Sequence, residues 1–458
     1  MENMGCILQA GEASLKTEGR TVAQICQGEP LSTMESVKRR VVSGQAALFA
    51  RIVERTAESA VALTVILAAV IPVSFVLGVR RLFTGKKVFR EKSIRGVRGQ
   101  RIRVLRFNVG SSAFIADTPL FLELLKGRIA LVGTEISDTD ERDVADPGQA
   151  LIDEVRPGLV SLWGVRRYSR IAHEGKQAIE LEYVSRKGLL YDFLLLLRYV
   201  PVMLYRENGS GRSSVMRLLG LDVTGFTMSE AVTVMENNLR LGRKSSIFFV
   251  NPDCCNKMVT DREYFRVLKQ ADYVFPDGIG LVIAGKILGT PVRENVNGTD
   301  MFPYLCKMAR DSGHSIFLLG GRPGVAEKAA MRTGDAYGVT VAGTAHGYFD
   351  HETESEALIR EINDSGAGIL LVAFGAPLQE KWIARHRDRL RPPLVLGVGG
   401  LFDFYSGRIS RAPVWIREIG FEWVFRILME PGRMWKRYVV GNPLFLFRVM
   451  KWKLFSER

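Results

Sequence analysis

Six short apolar runs, rich in Val, Ile and Phe, recur in the second half of the chain. The runs are SIFFV, DYVF, SIFLLG, VTVAG, ILLVAFG and LVLGVGG. Most of them are separated by segments long enough for a helix, and this alternation is typical of a parallel sheet with helices on both faces. The sequence therefore predicts an α/β fold whose C-terminal part is a Rossmann-like, doubly wound parallel sheet.

Glycines and polar residues follow nearly every one of these predicted strands. The six strand exits lie at residues 251–253, 276–280, 320–324, 343–350, 375–381 and 397–404. Ligands of open parallel sheets bind outside the carboxyl ends of the strands, where glycines allow close approach and helix N-termini present N–H groups to phosphate. The pattern favours a site for a nucleotide or sugar nucleotide, although each exit taken singly is equally consistent with ordinary turn chemistry.

Composition narrows the class of partner. The 458 residues allow two or three domains, and 63 basic against 49 acidic residues give a net charge of +14. This excess suits an anionic membrane surface, nucleic acid or a phosphate-bearing substrate. The five cysteines include no C-x-x-C pair, so they predict neither a disulfide framework nor a zinc site. No predicted strand precedes G-x-G-x-x-G with an acidic residue about 20 positions later, which disfavours a nicotinamide-dependent oxidoreductase.

An uncharged apolar run of membrane-spanning length lies near the start of the chain. Residues 59–79 carry no charge, and the basic residues at positions 80–87 form a flank that favours the cytoplasmic side of a membrane. Pro72 lies within the run and can break a helix, so a re-entrant hairpin competes with a full crossing. A buried helix of a soluble protein is the third alternative. The polar, aperiodic residues 1–40 predict a disordered tail and no signal peptide.

The segment that follows contains four recognisable blocks: GKKVFREKSIRGVRGQRIRVLRF, LLKGRIALVG, VRPGLVSLWGV and LLYDFLLLLRYVPVML. Over about residues 45–205 these blocks resemble the bacterial sugar transferases that load a phosphosugar onto polyprenyl phosphate. That resemblance implies an Asp-Glu pair before the Leu-Lys-Gly block, but Ala116 and Asp117 stand there, and Thr-Glu-Ile replaces the family's Pro-Arg-Pro. Without the nucleophile no covalent phosphosugar intermediate forms. We therefore predict a degenerate, membrane-associated and mostly helical domain, with Arg156 and Arg166 as retained phosphate contacts.

A polar linker at residues 206–214 separates this half from a second set of blocks. They are PDGIG, NGTDMF, FLLGGRPGVAEKAA, GYF, GAPLQEKWI, GVGGLFDFYSGRISRAPVWI and EWVFRILMEPGRMWKRYVVGNPLF. In order and spacing they resemble the WecG/TagA/CpsF glycosyltransferases, glycosyltransferase family 26, over about residues 215–450. The resemblance implies an inverting enzyme that moves a sugar from a UDP-sugar to a glycan on a polyprenyl diphosphate. We predict a glycosyltransferase domain at residues 215–420 and a basic amphipathic appendage at residues 421–458.

Asp277 lies between Pro276 and Gly278, directly after a predicted strand. The family resemblance makes it the candidate general base, which takes the proton from the acceptor hydroxyl as that hydroxyl attacks the anomeric carbon. A carboxylate suits this step because it is ionised at neutral pH and becomes a stronger base in a site that loses water. An Asp that caps a turn is the alternative for this position.

The resemblance also suggests which other residues contact the substrates. The predicted substrate-binding residues are Asn251, Asp253, Gly278, Asn297, Gly298, Asp300, Gly320, Gly321, Gln379 and Lys381. Two of these have structural alternatives, because Asp300 can cap a helix that starts at MFPYLCKMA and Lys381 can belong to a solvated helix start. Asn295 stands where many relatives carry Arg, which leaves the diphosphate-binding cation unassigned.

The C-terminal appendage mixes Trp and Phe with Arg and Lys, as interfacial membrane segments do. The resemblance implies that it closes over the active site, so that Arg426, Arg433 and Arg437 meet the acceptor diphosphate. A basic amphipathic helix packed on the core is the alternative. No Asp-x-Asp ends a strand in this half, and the Asp138-Thr-Asp140 sequence lies in the other domain. We therefore predict no metal and no cofactor, with cations and helix dipoles supporting the leaving UDP.

These observations lead to one principal function and two alternatives. The first is transfer of an N-acetylmannosamine-type sugar, uronic acid or hexose to a polyprenyl-diphosphate acceptor, for exopolysaccharide or other surface polysaccharide. The alternatives are a bifunctional enzyme with phosphoglycosyl transferase activity, and a non-catalytic membrane scaffold. We expect the protein to lie at the cytoplasmic face of the inner (plasma) membrane and to have no nucleic acid as a partner. Whether it forms a homo-oligomer stays open.

Overall fold

The computed structural model describes residues 45–85, 87–108, 113–137, 147–169, 175–205 and 215–456. The predicted tail, the predicted linker and the Asp138-Thr-Asp140 sequence lie outside the described residues. The chain divides into two compact units. One comprises residues up to Val165 together with His173–Tyr199, and the other comprises Arg166–Ala172 together with Val200–Arg458.

The N-terminal part of the chain is mostly helical, as predicted, but it also contains two small sheets. Its elements are α1 (Gln45–Val65), α2 (Ile71–Thr84), β1 (Phe89–Arg95), β2 (Arg101–Phe107), α3 (Ala113–Asp117), α4 (Leu120–Leu125), β3 (Ala130–Val132), β4 (Thr134–Glu135), α5 (Pro147–Asp153), β5 (Pro157–Val160), α6 (Leu162–Ser169), α7 (Lys176–Arg186) and α8 (Leu189–Tyr205). Strands β1 and β2 form an antiparallel pair, and β5 lies between β3 and β4 in a parallel sheet.

Helices α1 and α2 are joined by a π-helical turn at Ile66–Val70, just before Pro72. The residues on both sides of this turn keep right-handed helical dihedral angles, so Pro72 does not end the helix. Within the described residues, Arg51–Leu82 is the one helix that is long and apolar enough to cross a membrane. Its apolar side chains are largely exposed, with Phe75 73% and Leu82 84% accessible.

Two polar clusters of this unit bear on the predicted loss of phosphosugar chemistry. Arg156 donates to Glu54 at 2.7 Å and to Glu58 at 3.1 Å, and Glu58 is buried and also accepts from the Leu131 backbone N–H at 2.9 Å. Carboxylates of the protein itself therefore occupy the guanidinium that we predicted as a phosphate contact. Asp117, which ends α3, forms an ion pair with Arg106.

The C-terminal part of the chain has the predicted α/β fold. Its elements are β6 (Val215–Leu218), β7 (Leu221–Thr224), α9 (Met228–Arg240), β8 (Ser245–Val250), α10 (Pro252–Thr260), α11 (Arg262–Gln270), β9 (Tyr273–Pro276), α12 (Ile279–Leu288), α13 (Gly298–Asp311), β10 (Ile316–Gly320), α14 (Val325–Tyr337), β11 (Val341–Ala345), α15 (Ser355–Asp364), β12 (Ile369–Ala373), α16 (Leu378–His386), β13 (Leu394–Gly397), α17 (Leu401–Tyr405), α18 (Val414–Glu418), α19 (Glu422–Met429), α20 (Pro431–Trp435) and α21 (Gly441–Ser456). Strands β6 and β7 form a separate antiparallel pair.

The main sheet has six parallel strands in the order β11-β10-β12-β13-β8-β9. All six correspond to the six apolar runs, which confirms the prediction of a parallel sheet. Successive residues of β12 show why such runs are apolar throughout. Ile369 and Leu371 belong to one buried cluster, while Leu370 and Val372 belong to the other. Each face of the sheet is covered, and burial of one such side chain contributes about 1.5–3 kcal/mol.

Candidate active site

A cavity of about 150 Å³ lies at the carboxyl ends of β8 and β9. Its wall is contributed by segments 251–253, 277–282, 295–300 and 417–442. The first three segments are the loops and helix starts that follow or neighbour the two strands, and the last is the region after the sheet. The position agrees with the general rule for ligand sites in open parallel sheets.

Asn251 lies between β8 and α10 and is the N-cap of α10. It has an extended backbone, and its side-chain Oδ1 accepts hydrogen bonds from the N–H groups of Asp253 and Cys254, both at 3.1 Å. This N-cap satisfies two of the donors that the first turn of a helix leaves unpaired. The side-chain Nδ2 then points the other way and donates to Asp277 Oδ2 at 3.4 Å.

Asp277 follows β9 and is half-buried in the cavity wall. Its backbone N–H donates to the Val250 carbonyl at 2.8 Å, which fixes the residue against the neighbouring strand. Burial raises the pKa of its carboxyl, an effect opposed by Arg426, by the Asn251 amide and by Arg437. The carboxylate is thus a stronger base than a solvated Asp and stays next to cations that favour its ionised form.

Gly278 turns the chain from Asp277 into α12 with a φ of +90°, a conformation that side chains with a Cβ rarely adopt. Its N–H donates to Asn295 Oδ1 at 2.7 Å. Asn295 also lines the cavity. The Asn295 amide therefore holds the turn that carries Asp277.

Helix α13 begins at Gly298, earlier than we predicted. Asn297 caps it by accepting from the Asp300 N–H at 2.8 Å, so the alternative in which Asp300 caps a helix starting at Met301 is wrong. The Asp300 side chain instead accepts from Asn297 Nδ2 at 2.7 Å and forms ion pairs with Arg411 at 2.7 Å and Arg417 at 3.4 Å. It is a buried anion that joins the helix start to the segment after the sheet.

Asp253 joins α10 to the C-terminal segment. Its Oδ2 lies 2.9 Å from Lys257 Nζ and 3.6 Å from Arg437 Nε. Lys257 in turn donates to the Ala376 carbonyl at 2.9 Å. The Asp253 carboxylate therefore lies close to two cations. One, Lys257, belongs to its own helix, and the other, Arg437, belongs to the C-terminal segment of the cavity wall.

Arg426 and Arg437 both line the cavity, as expected for cations that meet a diphosphate. The guanidinium of Arg426 lies over the Phe404 ring, 4.7 Å from its centroid. Arg433 is exposed and forms an ion pair with Glu430 beside a smaller, neighbouring cavity that Arg426 also lines. The acceptor contacts of these arginines stay predictions.

Six of the predicted site residues lie away from the cavity wall: Gly298, Gly320, Gly321, Gln379, Lys381 and Arg433. Gln379 is buried and accepts from the N–H groups of Gly375 at 3.1 Å and Gly399 at 2.9 Å, so it holds two strand exits together. Lys381 pairs with Asp261 and Glu263, at 2.8 and 2.7 Å. Their interactions with the protein itself account for the polar character of Gln379 and Lys381.

Gly320 also has a packing role at the end of β10. A Cβ atom there would lie 2.6 Å from the Ala373 carbonyl oxygen on the adjacent strand, and φ is +135°. Gly321 continues the turn with φ +72° and donates its N–H to the same carbonyl at 3.1 Å. Gly320 is thus required by the close approach of the neighbouring strand, and Gly321 is favoured by its left-handed backbone.

The sequence analysis did not single out several wall residues of the last segment. They are Arg417, Gly420, Glu422, Trp423, Tyr438 and Asn442. Arg417 directly follows one of the quoted sequence blocks, and Glu422 is the first residue of the next. Their charge at this place beside the blocks is the one signal that could have found them. Burial raises the pKa of Glu422, and Arg411 and Arg426 oppose this shift.

The arrangement combines one basic carboxylate with several guanidinium groups in a single cavity. A hydroxyl that donates to Asp277 can lose its proton there, while Arg417, Arg426 and Arg437 can stabilise negative charge that develops on a leaving group. The asparagine amides of segments 251–253 and 295–300 supply neutral donors. The geometry suits displacement of a phosphate-bearing leaving group by a hydroxyl.

Comparison with known protein families gives two matches. The family described as Glycosyl transferase WecG/TagA/CpsF matches residues 216–458, and the family described as Bacterial sugar transferase matches residues 111–206. The first match includes every segment of the cavity wall. The second includes Ala116, Asp117 and Arg156.

Curated relatives align with the same C-terminal half. A protein of Bacillus subtilis (strain 168) is 31% identical over 203 residues, which cover 44% of this chain and 77% of the relative. Proteins of Staphylococcus aureus strains MW2 and NCTC 8325 / PS 47 are each 29% identical over 240 residues, or 52% of this chain and 92% of the relative. All three are named N-acetylglucosaminyldiphosphoundecaprenol N-acetyl-beta-D-mannosaminyltransferase.

Proposed function

The chain belongs to the WecG/TagA/CpsF family of glycosyl transferases, and from this we infer that it moves a sugar from a UDP-sugar to a polyprenyl-diphosphate-linked acceptor. The three curated relatives act, by name, on N-acetylglucosamine linked to diphosphoundecaprenol and transfer N-acetylmannosamine in β linkage. An N-acetylmannosamine-type donor is therefore the first candidate here, with uronic acids and hexoses as further candidates. The product belongs to an exopolysaccharide or another surface polysaccharide.

The observation that carries this proposal is the position of Asp277, which faces Arg426 and Arg437 across one cavity. In a single displacement the acceptor hydroxyl oxygen forms a bond to the anomeric carbon, and the bond from that carbon to the phosphate oxygen breaks. Asp277 takes the hydroxyl proton, and UDP leaves with the electron pair. Because attack and departure occur on opposite faces, the anomeric configuration inverts.

The test uses the full chain with N-acetylglucosaminyl-diphosphoundecaprenol as acceptor and a panel of UDP-sugars that carry N-acetylmannosamine, N-acetylglucosamine, glucose or glucuronic acid. We expect acceptor-dependent release of UDP with at least one donor, and a product whose new glycosidic bond has the inverted configuration by NMR. Equal UDP release with and without acceptor for every donor would contradict the proposal.

Chelation is expected to leave the transfer rate unchanged. The cavity carboxylates are engaged by amides and cations, as with Asp277 and Asn251 or Asp300 and Arg411, instead of converging on one point as ligands of a hard cation do. We expect equal initial rates with EDTA and with added magnesium or manganese. Loss of activity in EDTA that either metal restores would show that the enzyme needs a cation.

The N-terminal half is proposed to hold the enzyme at the cytoplasmic face of the inner membrane without phosphosugar chemistry. Ala116 offers no nucleophile, and Glu54 and Glu58 occupy the Arg156 guanidinium. The exposed apolar helix Arg51–Leu82 has the length and composition of a membrane span. Confining enzyme and lipid-linked acceptor to one surface raises their encounter frequency without any new contact.

We expect the full-length Asp277→Asn protein to release no UMP from UDP-sugars in the presence of polyprenyl phosphate. The substitution removes the base of the C-terminal site, so any UMP that forms reports on the N-terminal half alone. The measurement is chromatographic separation of UMP from UDP, with a protein-free reaction as control. UMP release that depends on polyprenyl phosphate would instead support the bifunctional alternative.

A further inference from the structure

One buried carboxylate of the cavity wall serves two guanidinium groups, of which Arg417 also lines the cavity. Asp300 is 8% exposed, and its Oδ1 lies 2.7 Å from Arg411 Nη2 and 3.4 Å from Arg417 Nη1. Its Oδ2 accepts from Asn297. A carboxylate carries one negative charge, and Arg411 has the shorter contact with it. The positive charge of Arg417 is therefore only weakly compensated by Asp300.

Arg417 is nevertheless held in place. Its Nε donates to the Ala412 carbonyl at 3.2 Å, and its side chain is only 17% exposed. Burial lowers the pKa of its guanidinium and the neighbouring Arg411 adds to this effect, while Asp300, Glu422 and Glu418 oppose it. An arginine still keeps its proton under such conditions, so the site contains a fixed cation that an anion would stabilise.

The other arginines of the wall have different surroundings. Arg437 lies 3.6 Å from Asp253, and Arg426 stacks on Phe404 and interacts with Asp277 and Glu422. The asparagines of the wall, Asn251, Asn295 and Asn297, have amides that already cap helix starts or hold a turn. Arg437 likewise shares its carboxylate with a closer cation, Lys257, whereas Arg417 shares Asp300 with a second arginine.

We propose that Arg417 binds the diphosphate of a substrate in this cavity, a role that rests on the proposed transferase function. A guanidinium gives a phosphate two parallel N–H donors, and its anchoring at Ala412 and Asp300 means that little side-chain freedom is lost on binding. The diphosphate can belong to the UDP-sugar or to the lipid-linked acceptor. Asp300 positions Arg417, and Arg411 keeps Asp300 compensated when the ligand shares the charge of Arg417.

The test compares the wild-type chain with Arg417→Gln, Arg417→Lys and a matched control, Arg389→Gln. Arg389 is an exposed arginine that pairs with Glu356 and does not line the cavity. Arg417→Gln should fold normally, because Arg411 remains beside Asp300; thermal unfolding checks this. Binding of inorganic pyrophosphate, UDP and uridine is measured by calorimetry, and KM is measured separately for UDP-sugar and acceptor.

We expect Arg417→Gln to weaken pyrophosphate binding by about 10- to 100-fold, the usual cost of losing a charge-assisted hydrogen bond. Arg417→Lys should fall between it and the wild type, and Arg389→Gln should match the wild type. A parallel loss for UDP but not uridine assigns the donor diphosphate, whereas a raised acceptor KM with unchanged UDP binding assigns the acceptor.

Unchanged pyrophosphate binding and unchanged KM values in Arg417→Gln would overturn the inference while leaving the transferase proposal standing. Absence of transfer by the wild-type chain with every donor would instead remove the transferase proposal, and the pyrophosphate comparison still decides whether Arg417 binds diphosphate. The two failures are therefore distinguishable.

Discussion

Replacement of Asp277 by Asn is expected to lower the transfer rate by about 100- to 10,000-fold, the usual effect of losing a general base. The side chain keeps its shape and can still accept from Asn251 Nδ2, but it cannot take a proton from the acceptor hydroxyl. The measurement is the initial rate of UDP release with a matched donor and acceptor.

The same Asp277→Asn substitution should not lower the stability of the fold, although it lowers the transfer rate. Burial raises the pKa of Asp277, so the folded state binds its proton more tightly than the unfolded chain does. Stability therefore falls as pH rises from the ordinary Asp range through the raised pKa, and an uncharged Asn avoids this loss. We expect an unfolding temperature at neutral pH that is equal to or higher than that of the wild type.

The pH dependence of transfer provides an independent check. Asp277 acts as a base only when ionised, so the wild-type rate should fall as pH drops through the raised pKa of this carboxyl. The residual rate of Asp277→Asn should lack this decline. A variant that kept more than half of the wild-type rate would identify Asp277 as a turn residue only.

Replacement of Asp300 by Ala is expected to be the most destabilising single change in the site. It leaves Arg411 and Arg417 without their shared carboxylate, and removal of one partner of a buried ion pair costs about 3–5 kcal/mol. Because both arginines keep some solvent access, we expect about 3 kcal/mol, at the lower end of that range. Thermal unfolding of the full chain measures the change.

Two variants serve as controls for Asp300→Ala. Asp311→Ala removes an exposed carboxylate that pairs with Arg310, and such surface changes are usually within about 0.5 kcal/mol. The double variant Asp300→Ala with Arg417→Gln should recover part of the loss, because one uncompensated cation is removed as well. An unfolding temperature of Asp300→Ala equal to that of Asp311→Ala would rule out the buried-anion role.

The sheet could be predicted from sequence because its strands are buried on both faces. A strand such as β12 then has no polar side to maintain and reads as an unbroken apolar run. The strands of the N-terminal unit could not be found in this way. Strands β3, β4 and β5 have only two to four residues, too few for a recognisable pattern.

Part of the candidate site could likewise be read from the strand exits. Asn251 and Asp277 directly follow buried strands, so the rule for parallel sheets was enough to bring them together, whereas Asn297 was named from the family resemblance. The pairing of Arg417 with Asp300 could not be predicted because the two residues are 117 positions apart, and no local pattern reports such a pairing. The substrate contact of Gln379 stays a prediction, because a polar side chain at a strand exit can equally serve the protein itself, as its bonds to Gly375 and Gly399 do.

Asn251 and Asn297 each begin a helix and also line the cavity. Substitution at these two positions is therefore limited twice, because the same amide group caps a helix and contributes to the cavity wall. Loss of an N-cap costs typically about 1 kcal/mol, so a variant selected there for a new donor also becomes less stable. Trp423, Tyr438 and Asn442 are not N-caps of the helices described here, so we expect the C-terminal part of the cavity wall to tolerate substitution with a smaller loss of stability than the two asparagine positions.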